Sequence, residues 1–151
     1  MSKQVVDSIV VLYNQSMREG WLNDDYLILF ADAELANISA RYAIDASLPG
    51  FTILGLRGWD DFIVRDPSGN TYTVPTVPLD QRYLQAFGLP ELATLEADDR
   101  FKETIKWYIT PLIFGGNPTD PKNLTWVNRE QHIQLVIWWN NRYRSQMKTS
   151  G

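Results

Sequence analysis

The sequence predicts a single α+β domain in which a small antiparallel sheet packs against N-terminal and C-terminal helices. Three observations support this class: helical spacing of apolar residues near both ends, β-forming segments separated by turn residues in the middle, and no long linker within the 151 residues. With 44% hydrophobic and 13% aromatic residues, the chain has enough apolar surface for one core. We therefore expect one domain over residues 1–151.

Helical periodicity predicts a first helix over residues 5–17, where apolar side chains recur at steps of three and four. Gly20 is placed to end this helix in the left-handed conformation, with Trp21 folding back on its last turn. The apolar run at residues 26–30 is too short to assign by its period. Residues 33–43 again show helical spacing, which predicts a second helix.

The pattern changes to β in the middle of the chain. Residues 51–56 and 61–65 are rich in β-forming side chains. Residues 66–70 place Pro and Gly where a tight turn favours them, and polar and apolar residues alternate over residues 71–74. This combination predicts an antiparallel hairpin, which the prolines that follow either end or hold at a sheet edge.

Three shorter segments come next. Residues 79–87 are predicted to form a short helix with an aspartate near its start. Asp98 and Asp99 are placed to complement the N-terminal dipole of a further helical segment, which Pro111 ends. The apolar run at residues 112–114 is expected to be buried.

The C-terminal helix carries the clearest signals. Asn128 and Gln131 have the spacing of a capping box, and the periodic pattern runs to about Met147. We expect extensive burial of this helix, with His132 as a hydrogen-bonded core histidine rather than a catalytic base. The apolar stripe contains His132, Leu135, Val136, Trp139 and Tyr143, widened by Ile133, Ile137 and Trp138.

The composition excludes several classes of function. Without cysteine the chain has no disulfide scaffold, thiolate metal site or cysteine nucleophile, and its one histidine leaves only an all-oxygen metal site. The acidic pairs at residues 24–25 and 60–61 are adjacent, so their side chains diverge in a regular element, and neither pair belongs to an EF-hand loop. We therefore expect no metal and no cofactor, and we assign no catalytic residue.

Charge is unevenly distributed along the chain. Residues 1–99 carry a net charge of −9 and residues 100–151 a net charge of +5, for a total of −4. The acidic first part argues against direct nucleic-acid binding and suits a basic protein partner. No signal-peptide pattern and no apolar run of membrane-spanning length is present, which predicts a cytoplasmic protein without a membrane span.

The best candidate for a binding site is the segment of Trp59, Asp60 and Asp61 between two predicted strands. An exposed tryptophan flanked by acids would form a contact point for a basic partner, with Asp24 and Asp25 as further acidic candidates. Alternatively, the tryptophan caps the core beside two solvated carboxylates. A different alternative is a glycosidase in which two carboxylates flank a sugar stacked on the aromatic ring.

Two blocks of short motifs suggest a known family. The C-terminal block contains PLIFGGNPTDPKN at residues 111–123, then Trp126, EQH at 130–132 and WWN at 138–140. The middle block contains LPG at residues 48–50, then Gly55, Trp59, FIV at 62–64, Asp66, Gly69, Tyr72, VP at 74–75 and VPL at 77–79. Both blocks resemble bacterial Smi/Knr-type proteins of the SUKH superfamily, and together they cover about the last hundred residues.

The resemblance implies an α+β fold without catalytic residues and a role as an immunity protein. Such a protein binds and neutralises a cognate toxin, often a nuclease, of a contact-dependent or secreted toxin system. The family has no universal binding residues, so the five candidates named above depend on local chemistry alone. An intracellular scaffold or regulatory domain is compatible with the same resemblance.

Overall fold

In the computed structural model, which describes residues 17–90 and 95–150, the chain has an α+β fold, as predicted. Six strands form one antiparallel sheet in chain order, and the last two strands form a separate ribbon. The strands are β1 (Arg18–Leu22), β2 (Asp25–Leu29), β3 (Thr52–Arg57), β4 (Asp61–Arg65), β5 (Thr71–Pro75), β6 (Gln85–Ala86), β7 (Ile105–Tyr108) and β8 (Leu124–Val127). The α-helices are α1 (Leu35–Arg41) and α2 (Arg129–Ser150).

The main core lies on one face of the six-stranded sheet. Strand side chains alternate between the two faces, so that Phe62 and Val64 of β4 enter this core while Ile63 joins a smaller cluster on the other face. Both α-helices and the β7–β8 ribbon contribute to the main core. Their fully or largely buried members are Ile38, Tyr42, Ile105, Trp107, Val127, Ile133 and Val136.

The predicted hairpin is confirmed. Strands β4 and β5 pair in register from Asp61 opposite Pro75 to Arg65 opposite Thr71. In the connecting turn, the carboxylate of Asp66 accepts the backbone N–H groups two and four residues later, at 2.9 Å each. The side chain therefore organises the turn locally, as aspartate does at this position.

The predictions of a helix over residues 33–43 and of the C-terminal helix are also confirmed. The segment 33–43 forms a 3-10 turn followed by α1. At the start of α2, Asn128 Oδ1 accepts from the Gln131 N–H at 2.8 Å and Gln131 Oε1 accepts from the Asn128 N–H at 3.0 Å, which is the capping box. No helix of the described ranges has the length and apolar character needed to cross a membrane.

The predicted burial of the α2 stripe is wrong for one of its residues, Trp138. Trp138 is 55% exposed, whereas His132, Val136 and Asn140 are at most 2% exposed. Residues at steps of four share one side of a helix, and Trp138 lies two positions from both Val136 and Asn140. It therefore points away from the core.

The predicted helix ending at residues 20–21 is wrong. Gly20 and Trp21 lie within β1, and Trp21 exchanges backbone hydrogen bonds with Glu96 at 2.8 and 2.9 Å. Pairing of β1 with β2, and this contact from a distant segment, favour the extended conformation over a helix end. Apart from its last residue, the helix predicted over residues 5–17 lies outside the described residues.

Two more helix predictions are wrong because part of each segment pairs with a neighbouring strand instead. Residues 79–87 contain one 3-10 turn, Gln81–Tyr83, capped by the predicted aspartate Asp80, and then β6 pairs with β5. The segment after Asp98 and Asp99 forms turns and then β7, not a helix. In β7 the burial alternates with a period of two, which is a strand pattern.

The expected burial of residues 112–114 is wrong as well. The run forms a 3-10 turn, Leu112–Phe114, in which Leu112 is 48% and Ile113 46% exposed. The turn ends at Gly115, whose φ of 93° lies in the left-handed region that glycine adopts without strain. The chain thus presents two aliphatic side chains to solvent.

Candidate functional site

The candidate site is a cleft of about 420 Å³ between one end of the sheet and the ribbon. It is lined by residues 59–61, 75–78, 106–108 and 111–113, together with Tyr83. The wall formed by the sheet contains three of the five residues predicted for binding. We call this feature the cleft.

The topology explains why the predicted acidic residues come together. In an antiparallel sheet in chain order, the β1–β2 turn, the β3–β4 turn and the end of β5 lie at the same end. The Gly58 N–H donates to the Tyr26 carbonyl at 2.7 Å, and the Thr76 N–H donates to the Asp60 carbonyl at 3.0 Å. Asp24, Asp25, Asp60 and Asp61 therefore all lie at that end of the sheet.

Trp59 is buried, so its predicted exposure is wrong. It caps the core, as in the alternative, but the two carboxylates beside it are partly buried and not fully solvated. Its side chain is 9% exposed and stacks on Tyr26, with ring centroids 4.6 Å apart and an interplanar angle of 15°. Phe101 and Trp126 pack against it edge-on, each at 5.2 Å. The exposed indole of this cluster is Trp126, at 40%.

Asp60 is paired with a lysine that the sequence analysis did not single out. Lys106 Nζ lies 2.9 Å from Asp60 Oδ2, 3.3 Å from the Tyr108 hydroxyl and 4.8 Å from the Tyr108 ring centroid. Burial raises the pKa of Asp60, and the ammonium group partly offsets that rise. Burial alone would lower the pKa of Lys106, but its bonds to Asp60 and Tyr108 outweigh it and the pKa is raised.

Asp61 differs from Asp60 because its carboxylate has no hydrogen bond or ion pair within the described ranges 17–90 and 95–150. Burial raises the pKa of Asp61, and the neighbouring charge of Asp60 raises it further. Arg57 and Lys106 act in the opposite direction from a distance. The cleft thus contains two carboxylates and one ammonium group, with one carboxylate unpaired.

The other two predicted acids lie outside the cleft. Asp25 forms an ion pair with Arg57 at 3.2 Å, and Asp24 is exposed in the β1–β2 turn. The structure therefore places Trp59, Asp60 and Asp61 in one site and leaves Asp24 and Asp25 beside it.

Sequence reasoning missed the opposite wall, which is formed by β7 and the turn that follows it. A signal was present: over residues 105–108 aliphatic, charged and aromatic side chains alternate in a manner typical of a strand. In that register the two even-numbered residues, Lys106 and Tyr108, share one face of the ribbon with Leu124 and Trp126 of β8. This assignment would have identified Lys106 as a site residue.

Exposed apolar side chains are concentrated around the cleft. The described ranges contain nine large hydrophobic residues with high exposure. Six of the nine lie on the cleft rim, on the ribbon or on the segment that joins the rim to the ribbon. Exposed large apolar side chains concentrated in one region are typical of interaction sites. The six are Tyr83, Ile109, Leu112, Ile113, Leu124 and Trp126.

The carboxylates of the cleft lack the geometry of the alternative glycosidase chemistry. Both carboxylates that line the cleft belong to consecutive residues on one wall, and the opposite wall, residues 106–108 and 111–113, contains no carboxylate. A pair of catalytic carboxylates has to flank the scissile bond from two sides. No group of three potential metal ligands occurs in the part of the chain that the structure describes.

Comparison of the chain with protein-family models, curated proteins and solved structures returned no match. The fold and the site define a small α+β protein with an acidic, apolar-rimmed cleft at one end of its sheet.

Proposed function

We propose that the protein is a SUKH-type immunity protein that acts in the cytoplasm by binding a cognate bacterial toxin. The observation that carries the proposal is the concentration of exposed apolar side chains around a cleft with two carboxylates. Apolar residues at the centre of an interface supply binding energy, and charges supply specificity and rate. Bound there, a toxin domain has its functional surface covered, which is inhibition by occlusion.

The motif resemblance to Smi/Knr-type proteins supports the toxin as partner, and the absence of opposed carboxylates in the cleft favours binding over catalysis. A basic toxin domain, such as a nuclease, fits the net charge of −9 in residues 1–99. An intracellular scaffold would use the same surface with a different partner, so the identity of the partner separates the two roles.

The test begins with capture of partners by the tagged full chain from its native cells, followed by identification by mass spectrometry. The toxin domain found is then expressed with and without the protein, and growth is measured. We expect the wild-type protein to restore growth. Recovery of only non-toxin partners would replace immunity with a scaffold role, and no growth rescue by the wild-type chain would contradict the proposal.

Two matched variants connect protection to the cleft. Leu112→Glu places a charge on the cleft rim, whereas Met147→Glu makes the same change at a comparably exposed site near the end of α2 (48% and 40% exposed). We expect Leu112→Glu to weaken toxin binding at least tenfold, in the range of a central interface residue, and Met147→Glu to leave it unchanged. Equal binding by both variants would place the interface elsewhere.

A further inference from the structure

We infer that the cleft receives one basic side chain of the partner at Asp61, and that apolar residues flanking this side chain pack on Leu112, Ile113 and Tyr83. The inference rests on the proposed function in one respect, since it names the chemistry of the partner at the same site. The occupant is therefore a protein segment with a single arginine or lysine between apolar residues.

The charge balance of the cleft supports a cationic occupant. Lys106 forms an ion pair with Asp60 at 2.9 Å, and Arg57 forms one with Asp25 at 3.2 Å. Asp61, partly buried, is left without an ion pair among the described residues. A carboxylate that is removed from water without a partner is unfavourable, and a cation from outside offsets that cost.

The internal lysine shows which group this environment accommodates. Lys106 Nζ is held by a carboxylate and lies 4.8 Å from the ring centroid of Tyr108 and 6.0 Å from that of Trp59. A carboxylate with aromatic rings nearby is a favourable environment for an ammonium or guanidinium group. Trp107 and Tyr83 supply further rings to the cleft that contains Asp61.

The rim determines what surrounds the basic side chain. Leu112, Ile113 and Tyr83 are 48%, 46% and 37% exposed, and all three line the cleft. A volume of about 420 Å³ is near the lower end for ligand clefts, so it accommodates a long side chain and its neighbours rather than a folded element. A polybasic segment fits poorly, because the rim offers apolar contacts and only one carboxylate is free.

The test uses blocked tripeptides as probes of the full chain. Acetyl-Leu-Arg-Leu-amide is compared with the same peptide containing citrulline, which keeps the shape of arginine without its charge. Binding is measured by NMR from the amide shifts of residues 60–61 and 112–113. We expect saturable binding of the arginine peptide at least tenfold tighter than that of the citrulline peptide. Equal affinities, or no saturable shift with either peptide, would overturn the inference.

Two variants locate the charge. Asp61→Asn is expected to reduce affinity for the arginine peptide to that of the citrulline peptide, and to leave the affinity for citrulline unchanged. Asp24→Asn is the control, because it neutralises an exposed carboxylate of the β1–β2 turn at the same end of the sheet and leaves the ion pair of Asp25 and Arg57 intact, and both affinities should persist. Retained discrimination in Asp61→Asn would contradict the assignment, and the amide spectrum of each variant verifies its fold.

The results distinguish failure of this inference from failure of the proposed function. If the arginine peptide binds at Asp61 but no toxin is neutralised, the cationic site stands and immunity does not. If a toxin is neutralised and its affinity is the same for wild type and Asp61→Asn, immunity stands and the cationic site does not.

Discussion

At the scale of single residues, His132 is held neutral by the core. Its side chain has no exposed surface, and its Nδ1 lies 2.7 Å from the Tyr42 hydroxyl. The rings of Phe62 and Trp107 also pack against the imidazole, which has no charged neighbour among these contacts. Burial lowers the pKa of His132 to about 3. A proton is therefore bound far more weakly in the folded than in the unfolded chain.

This difference predicts a loss of stability in acid. The imidazole of the unfolded chain has a pKa of about 6.5, so the unfolded state gains a proton first as the pH falls. The contribution of His132 is complete above that pH and decreases by about 1.4 kcal/mol per pH unit below it, towards the folded pKa of about 3. Urea unfolding at a series of pH values measures the free energy of unfolding.

The control for this prediction is His132→Gln, compared by slope and not by absolute stability. Its free energy of unfolding should fall less steeply between pH 6.5 and 4 than that of wild type, by up to about 1.4 kcal/mol per pH unit. Asp60 and Asp61 have raised pKa values, which favour the folded state as the pH falls, but both proteins share them. An imidazole signal titrating near pH 6.5 in the folded protein would contradict the prediction.

At the scale of elements, α2 fixes one wall of the cleft through Asn140. The Asn140 amide donates to the Thr76 and Val136 carbonyls at 2.8 and 2.9 Å, and its oxygen accepts from the Leu79 N–H at 2.8 Å. Residues 76–78, at and after the Thr76 partner and before Leu79, line the cleft. One buried side chain thus satisfies the Thr76 carbonyl and the Leu79 N–H, which lie outside the strands and helices.

Asn140→Ala is therefore expected to destabilise the fold by about 3 kcal/mol, because it leaves a buried N–H and a buried carbonyl without partners. Asn141→Ala is the matched control: Asn141 is exposed and its side-chain oxygen accepts a hydrogen bond from Arg144 at the surface, so about 0.5 kcal/mol or less is expected. Denaturant midpoints measure both. Similar small losses in the two variants would show that Asn140 does not anchor the segment.

The elements that the sequence predicted correctly are those specified by local signals. The β4–β5 hairpin has its turn chemistry within five residues, and α2 has a capping box and a long periodic stripe. Strand β7 was missed because distant pairing determines it: Lys106 pairs across the ribbon with Trp126. Strand β1 pairs locally with β2 across a two-residue turn, and it was missed because the helical spacing before it was extended into it; its further bonds, from Trp21 to Glu96, are distant. The same distinction holds for the site: Asp60 and Asp61 lie in a local turn and were predicted, whereas Lys106 lies in a strand set by distant pairing and was not.

At the scale of the whole molecule, the cleft lies where the acidic and basic parts of the chain meet. Asp60 and Asp61 belong to the part with a net charge of −9, and Lys106 belongs to the part with +5. The six-stranded sheet is built entirely from residues 18–86, so the acidic part and the sheet coincide. A basic partner approaching the end of the sheet with the cleft is therefore attracted over distances set by ionic screening.

We accordingly predict that the association rate constant with the proposed toxin falls with added salt, because the Debye screening length shortens to about 8 Å at physiological ionic strength. Asp61→Lys should slow association several-fold at low salt, and the rates of variant and wild type should converge at high salt. Asp32→Lys makes the same charge change beyond the other end of β2 and should slow association less. Stopped-flow measurement at several salt concentrations provides the rates. A rate constant independent of salt, or equal slowing by both reversals, would show that the charge near the cleft does not guide the partner.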